Sequence, residues 1–247
     1  MVFTAVLSVP PLLASNSIVY AFRESDGIGQ GICVFLFIAS VAVWFIMGEK
    51  SFSLHTAMKK SQAFLRAFRD KRNPLGLKDK AMESQSPAAA VYLAACERIE
   101  SFHLELPGGG RRAMSDDELK VMRSAMEQAV EDQLVILSKR TMILSTAVSG
   151  SPYLGLFGTV WGITVAFTKL AQAGKADVQT LAPGVSGALL TTVIALLVAL
   201  PSMIGSNFIA AMINDITVHL DNFVEEVFAK FKIEQLDSYR AAAGDQE

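Results

Sequence analysis

The sequence predicts an all-α membrane protein with three transmembrane helices and with long helices that extend into the cytoplasm. Of its 247 residues, 51% are hydrophobic and 19% are charged, whereas about a quarter are charged in a typical soluble domain. Asp, Glu, Lys and Arg are absent from three windows, 27–48, 141–168 and 178–214. Each window exceeds the roughly 20 residues that a helix needs to cross a bilayer. The alternative, a soluble protein with a buried helical core, rarely has three such windows in one chain.

The N-terminal residues 1–27 are predicted to form a periplasmic arm or an interfacial helix on the membrane surface. Residues 1–22 are apolar, but they have no basic start, and two prolines interrupt them at Pro10 and Pro11. An uncleaved or atypical signal peptide is the alternative interpretation. The first transmembrane helix is predicted at 28–48, after the charged residues Arg23, Glu24 and Asp26.

Residues 49–140 are predicted to form a helical loop in the cytoplasm and not a folded catalytic domain. The segments 73–76 and 106–110 contain Gly and Pro and are predicted turns, and 88–102 between them is predicted to be one helix. The loop holds 16 of the 22 Lys and Arg residues of the chain. The positive-inside rule therefore places the loop and the C-terminus in the cytoplasm and the N-terminus in the periplasm.

A further helix of this loop is predicted to begin at Ser115, which forms the S-x-x-E pattern of a capping box with Glu118. Its apolar face is predicted from residues three, four or seven positions apart: Leu119, Met122, Met126, Ala129 and Ile136. Because no Gly or Pro occurs before Gly150, we expect one continuous helix from 116 to 168 that includes the second transmembrane segment.

The remainder of the chain is predicted to cross the membrane twice. The second transmembrane helix is placed at 141–168, a short periplasmic loop at 169–177 and the third transmembrane helix at 178–210. Residues 211–247 are then a cytoplasmic C-terminal helix and tail. Apolar residues at helical spacing predict that this helix packs on its neighbours: Ile213, Ile216, Leu220, Phe223, Val227 and Phe231.

The sequence lacks the motifs of common enzymes and cofactor sites. No P-loop, G-x-S-x-G, H-E-x-x-H or C-x-x-C pattern occurs. The three His residues and the two Cys residues are scattered over separate segments, so neither a metal site nor a disulfide is expected: His55, His103, His219, Cys33 and Cys96. A net charge of −2 gives no indication of nucleic acid as a partner. We therefore expect a protein without enzymatic activity, cofactor or metal.

Small and hydroxyl-bearing residues recur three or four positions apart in the second and third transmembrane helices. Small residues let two helices approach closely, and the candidate packing positions are Pro152, Gly155, Gly158, Gly162, Pro183, Gly184 and Pro201. A hydroxyl can both donate and accept a hydrogen bond, and the candidates for lining a partly hydrated ion path are Ser145, Ser149, Thr159, Thr191 and Thr192. The alternative is that these hydroxyls serve packing alone.

The three charge-free windows also lack His, so no ionisable side chain lies within them. An ion path through hydrocarbon normally contains an ionisable relay group. If this chain conducts ions, that group must come from another polypeptide. The sequence therefore predicts a heteromeric assembly in the lipid bilayer.

The run Ser151–Ile163 (SPYLGLFGTVWGI), followed by Ala182-Pro183-Gly184 and by Thr192, resembles the TolQ/ExbB/MotA family of ion-driven motor subunits. The family pattern covers residues 25 to 235, and the segment Leu220–Glu226 is more similar to the TolQ branch than to the ExbB branch. The resemblance implies a multi-pass protein of the bacterial inner membrane that forms a homo-oligomeric ring, typically a pentamer. It also implies that Thr159 and Thr192 are pore-facing threonines.

Two partners and an ion follow from the same resemblance. A single-span protein of the TolR/ExbD type brings a membrane Asp into the pore, and a TolA- or TonB-like protein transmits work to the outer membrane. The implied ion is H⁺, with Na⁺ as the alternative. The chain departs from the family at Gly187, where TolQ and ExbB usually have a Glu. A flagellar- or gliding-type stator subunit and a non-conducting membrane scaffold are the alternative functions.

Overall fold

The computed structural model describes residues 11–71, 75–102, 114–174 and 177–244. Within these ranges every secondary-structure element is an α-helix, which confirms the predicted all-α class. The helices are α1 (Pro11–Glu24), α2 (Gly27–Asp70), α3 (Lys78–Ser84), α4 (Pro87–Ser101), α5 (Asp116–Ser138), α6 (Thr141–Ala173) and α7 (Val178–Gly244). The predicted turn at 106–110, part of the turn at 73–76 and His103 lie outside the described residues.

Three of these helices, α2, α6 and α7, are long and apolar enough to cross a membrane. Large apolar side chains cover their outer surfaces; Phe37 and Phe45 of α2 are 68% and 72% exposed. Such a surface is expected of helices surrounded by lipid. With 44 and 67 residues, α2 and α7 are about 66 and 100 Å long, far longer than a hydrocarbon core of about 30 Å. The predicted long extensions are therefore present, and their cytoplasmic location stays a prediction.

The second of these apolar helices ends later than predicted. α6 runs to Ala173, and Gly174 follows it with a φ of 65°, the left-handed conformation that often closes a helix and that glycine adopts readily. Lys169, which was predicted in the loop 169–177, is therefore helical. The loop is correspondingly shorter, and α7 begins at Val178.

The start of α5 was predicted correctly, but its buried face was misplaced beyond the third turn. Ser115 Oγ accepts a hydrogen bond from the Glu118 N–H, and the Glu118 carboxylate accepts one from the Ser115 N–H, so the capping box is formed. The first three predicted apolar positions are buried, whereas Ile136 is 58% exposed. The buried series instead continues through Val130 and Leu137. The predicted positions Ala129 and Ile136 each lie one residue before the buried positions. Residues four apart share a helix face, so the buried face continues from Met126 to Val130.

The expected continuous helix from 116 to 168 is wrong. α5 ends at Ser138, and the backbone of Arg140 has a φ of 70° before α6 begins. The buried Lys50 Nζ donates a hydrogen bond to the Leu137 carbonyl at 3.2 Å, which satisfies one of the free carbonyls at the end of α5. The break lies at Arg140, where there is no Gly or Pro, and it is bonded by Lys50 from a distant segment. The sequence therefore did not indicate it.

The described helices divide between two compact units. Unit 1 consists of Met1–Gly48 and Arg140–Asn207. Its core contains Leu36, Ala195 and Val198, and partly buried apolar residues pack against them: Ile32, Leu154 and Ile194. Unit 1 therefore combines α1, the first part of α2, α6 and the first part of α7.

Unit 2 consists of Glu49–Lys139 and Phe208–Glu247. Its core contains a cluster of rings from three helices, in tilted and edge-to-face contacts with centroids 5.2–6.2 Å apart: Phe64, Phe68, Tyr92 and Phe223. All six residues of the predicted apolar stripe in the C-terminal helix are buried. That stripe was therefore correctly interpreted as a packing surface.

Candidate functional site

Unit 1 contains a close antiparallel contact between α6 and α7 that is built from small residues. Residue numbers rise on α6 and fall on α7 along four facing pairs: Gly155 with Ala195, Gly158 with Thr191, Gly162 with Ala188, and Ala166 with Gly184. A methyl group added at any of these four glycines would lie 2.5–2.9 Å from a side-chain atom of the facing residue. Carbon atoms in ordinary contact are about 3.5–4.0 Å apart. Only hydrogen fits at these four predicted packing positions without a shift of the helices.

The three predicted packing prolines lie within helices and do not end them. Pro152 is in α6, and Pro183 and Pro201 are in α7, each half-buried. Each proline removes one backbone hydrogen bond from its helix. The freed carbonyls are polar groups inside otherwise apolar segments, which membrane helices tolerate when neighbouring groups satisfy them.

Three of the five predicted hydroxyls converge on one carbonyl oxygen at the α6–α7 contact. The Gly155 oxygen accepts hydrogen bonds at 3.0 Å from Thr159 Oγ1, at 3.3 Å from Thr191 Oγ1 and at 3.0 Å from Thr192 Oγ1. The hydroxyls of Thr159 and Thr192 also contact each other. The Ala188 oxygen is a second acceptor, 2.7 Å from Thr191 Oγ1 and 3.4 Å from Thr159 Oγ1. We call Thr159, Thr191 and Thr192 the threonine cluster.

Members of the threonine cluster differ in their accessibility from outside the chain. Thr191 is fully buried, whereas Thr159 and Thr192 are each half-buried. A hydroxyl carries one proton and two lone pairs, so the two half-buried threonines can still bond a group that approaches the helix pair. Among the described residues, no ionisable side chain forms a hydrogen bond to the cluster.

The other two predicted hydroxyls, on Ser145 and Ser149, are not brought to this cluster. Both side chains are exposed. Ser145 Oγ donates to the Thr141 oxygen at 3.4 Å, and Ser149 Oγ donates to the Ser145 oxygen at 3.1 Å, so each is bonded to its own helix. Their role in an ion path stays a prediction without geometric support inside one chain.

A turn between α1 and α2 packs against α7 at Gly187, the position at which a departure from the family pattern was predicted. A methyl group at Gly187 would lie 2.5 Å from Ser25 Oγ, 2.9 Å from Ser25 Cα and 3.0 Å from the Ala21 oxygen. Ser25 and Ala21 are buried, and Ser25 Oγ donates to the Ala21 oxygen at 3.0 Å. Atoms of Ser25 in the turn and of Ala21 in α1 therefore occupy the space that any side chain at position 187 would need. Sequence reasoning missed this contact, because no local pattern links Ser25 to a residue 162 positions later.

A cavity of about 130 Å³ lies beside this turn in unit 1. It has room for several water molecules, since each takes about 30 Å³ in the liquid. The part of its lining that concerns the site consists of Glu24, Asp26, Lys169, Gly158, Gly187 and Thr191. The cavity therefore brings charged side chains to the edge of the threonine cluster.

Asp26 is held in place at this cavity by two donors. Its Oδ1 accepts a hydrogen bond from the Gly29 N–H at 3.1 Å, and its Oδ2 accepts one from Trp161 Nε1 at 2.7 Å. The first bond caps the start of α2, a common role of Asp. An Asp directly before an apolar helix was a signal for this cap, but nothing in the sequence indicated the bond to Trp161.

The described residues contain no cluster of side chains that typically bind a metal ion. Within the described ranges, no three His, Cys, Asp or Glu side chains come together. Cys33 and Cys96 are both buried and free. The polar chemistry of unit 1 therefore rests on hydroxyls, carbonyl oxygens and the charged lining of the cavity.

These features define a class: multi-pass helical proteins in which two apolar helices share a hydroxyl-lined contact. Residues 84–222, more than half of the chain, match the model of the MotA/TolQ/ExbB proton channel family. The chain belongs to this family, as the run 151–163 indicated. The family is one of channels and not of enzymes.

Relatives from two branches of the family are similar to the chain to comparable degrees. It is 30% identical to the Tol-Pal system protein TolQ of Haemophilus influenzae over 211 residues, 83% of this chain and 89% of the relative. It is 31% identical to TolQ of Pseudomonas aeruginosa over 184 residues, 74% of this chain and 78% of the relative. It is 28% identical to the biopolymer transport protein ExbB of Salmonella typhimurium over 212 residues, 83% of this chain and 82% of the relative.

Proposed function

We propose that this chain is the ring subunit of a proton-channel motor in the bacterial inner membrane. In this motor, a TolR/ExbD-like partner and the proton-motive force energise an outer-membrane process through a TolA- or TonB-like protein. The process is Tol-Pal envelope maintenance or TonB-dependent import, and the names of the relatives, Tol-Pal system protein and biopolymer transport protein, support both. The observation that carries the proposal is the threonine cluster, a group of hydroxyls without a titrating side chain of its own.

In this proposal the titrating group reaches the cluster from the partner. A carboxyl group held in a dry pore stays neutral by keeping its proton. Its O–H donates to a hydroxyl of Thr159 or Thr192, and its carbonyl oxygen accepts from the other. Both threonines are half-buried, so an approaching side chain can touch them without opening the α6–α7 contact.

The energy released by one proton that crosses the membrane is comparable with the energy of the hydrogen bonds in the threonine cluster. One elementary charge that moves through 100 mV releases about 2.3 kcal/mol. A hydrogen bond in a protein contributes about 0.5–1.5 kcal/mol net. One proton can therefore drive the exchange of one or two hydrogen bonds in the threonine cluster, and a larger conformational step needs several protons.

The proposed assembly is a homo-oligomeric ring, with the pentamer that is typical of the family. Its N-terminus faces the periplasm and its C-terminus the cytoplasm. The outward apolar surfaces of α2, α6 and α7 are suited both to lipid and to neighbouring subunits.

Ion flux into proteoliposomes that hold the chain and its TolR/ExbD-like partner tests the proposal. Thr159→Val and Thr192→Val keep the side-chain volume but remove the hydroxyl, so flux should fall to background while the assembly keeps its mass. Thr164→Val is the matched control, because Thr164 is exposed on α6 and its hydroxyl bonds only the Val160 oxygen of its own helix, at 2.8 Å.

Three results would contradict parts of the proposal. Normal flux through Thr159→Val and Thr192→Val would mean that the cluster serves packing alone. No flux through the wild-type chain with its partner would favour the scaffold. Flux driven by a Na⁺ gradient and not by a H⁺ gradient would change the ion but keep the path.

A further inference from the structure

The cavity beside the α1–α2 turn is lined partly by charged residues, although it lies in the unit that contains most of the charge-free sequence. Asp26, Glu24 and Lys169 are among the residues that line it. Apolar cavities of this size stay empty, whereas polar ones hold ordered water. Among the described residues, Lys169 forms no ion pair with either carboxylate. Water and small cations can therefore bond these groups.

Two residues of the α6–α7 contact join this cavity to the threonine cluster. Gly158 and Thr191 both line the cavity, and they face each other across the contact. Thr191 Oγ1 bonds the same Gly155 oxygen as the two half-buried threonines. The cavity therefore borders Thr191, the fully buried member of the threonine cluster.

Asp26 is suited to bind such a cation because two hydrogen bonds fix its position and leave other lone pairs of its carboxylate unused. A carboxylate has about four lone-pair sites, and the bonds from the Gly29 N–H and Trp161 Nε1 use two of them. Gly187 completes the arrangement. Because it has no side chain, Ser25 can pack on α7 and the turn that carries Asp26 can lie over the cavity.

We propose that this cavity is a water-filled vestibule through which the transported cation reaches the threonine cluster, and that Asp26 is the carboxylate that the cation meets there. The inference rests on the proposed function and deepens it, since it gives the ion path an entrance on this chain. Glu24 and Lys169 set the local charge of the vestibule. The titrating group at the cluster itself still comes from the partner.

The first experiment measures access without requiring conduction. Thr191→Cys and, separately, Ser202→Cys are made in a full-length chain in which Cys33 and Cys96 are replaced by Ala. Ser202 is the matched control, because it is fully buried on the same helix and does not line the cavity. The probe is Ag⁺, a small cation, and the readout is the fraction of thiol that remains available for alkylation after unfolding.

The Thr191→Cys thiol should react with Ag⁺ at least about tenfold faster than the Ser202→Cys thiol. Adding Asp26→Asn should slow that reaction by about tenfold, the low end of the effect of a charged cleft on cation concentration. Equal rates for the two thiols would show that cations do not enter the cavity and would overturn the proposal. This outcome is independent of the proposed function, since neither the partner nor a potential is present.

The second experiment compares two carboxylates in the flux assay. Asp177 is the control for Asp26, because its Oδ1 also accepts a backbone N–H near a helix start, from Gln179 at 3.1 Å, yet it does not line the cavity. Asn can replace Asp as a helix cap, so both Asn variants should keep the fold. Asp26→Asn should raise the cation concentration for half-maximal flux by about tenfold, and Asp177→Asn should leave it unchanged. Equal effects of the two substitutions would contradict the role of Asp26, whereas absence of flux in every variant would contradict the proposed function and leave the Ag⁺ result decisive.

Discussion

Replacing Gly162 by Ala is expected to push α6 and α7 apart and to break the threonine cluster. The added methyl group would lie 2.7 Å from Ala188 Cβ and 3.2 Å from Ala188 Cα, so the helices must separate by about 1 Å to restore ordinary carbon contacts. Thr192 Oγ1 on α7 is 3.0 Å from the Gly155 oxygen on α6. A shift of about 1 Å takes this pair beyond hydrogen-bonding distance. Both stability and conduction should therefore suffer from a single methyl group.

Gly150→Ala provides the matched control on the same helix. A methyl group at Gly150 meets nothing within 4 Å, and Ala in a helix is more stable than Gly by about 0.5–1 kcal/mol. Both variants gain this helix stability, and overpacking at Gly162 costs about 1–3 kcal/mol. The free energies of unfolding of the two variants should therefore differ by about 1–3 kcal/mol. Titration of the detergent-solubilised protein with SDS measures this difference, and proteoliposome flux with the partner measures conduction. Equal stability and equal flux in the two variants would refute the close α6–α7 contact.

Three further variants probe other contacts. Gly187→Ala should lose about 1–3 kcal/mol of stability because its methyl group collides with Ser25. Gly31 has open space around it, so Gly31→Ala should keep its stability. Thermal unfolding of both variants in detergent measures the difference. Lys50→Met should destabilise the chain by about 1–3 kcal/mol, because the Leu137 carbonyl loses its hydrogen-bond donor. An unchanged midpoint of thermal unfolding would contradict this prediction. Burial raises the pKa of the Cys96 thiol above its ordinary 9.0. The unfolded chain therefore releases this proton first as pH rises through that value, and stability should fall above pH 9; Cys96→Ala should lessen this fall, and an identical pH dependence in the variant would exclude Cys96 as its source.

The number and type of the long helices could be predicted because their cause is local. Three charge-free windows are sufficient to indicate three apolar helices, and the pair Ser115 and Glu118 is sufficient to indicate a helix start. The break at Arg140 could not be predicted, since its left-handed backbone and the donor at Lys50 depend on a segment far away in the sequence. Local sequence patterns reflect interactions between residues close together in the chain, whereas this break is stabilised by a contact between residues far apart in the sequence.

The residues of the candidate site likewise include some that the sequence predicted and some that it did not. Spacing along each helix singled out Thr159 and Thr191, and Thr192 was singled out by its place deep in an apolar window. The antiparallel register of two glycine-rich helices brings the three together. Spacing alone also selected Ser145 and Ser149, which the structure leaves on the exposed surface of α6. The turn with Ser25 and Asp26 was missed altogether, because its contacts with Gly187 and Trp161 are set by how the helices pack, and no periodicity in the chain reports that packing.

The Gly155 carbonyl has more donors than it can serve. Three threonine hydroxyls lie within 3.3 Å of its oxygen, while a carbonyl has two lone pairs and its own helix already engages it. Some of these hydroxyls must point elsewhere at any instant, towards one another or towards Ala188. The group thus has several alternative hydrogen-bonding patterns, and passing from one to the next requires only rotation about a Cβ–Oγ1 bond. Such degeneracy lets a proton donor change partners while both helices stay still.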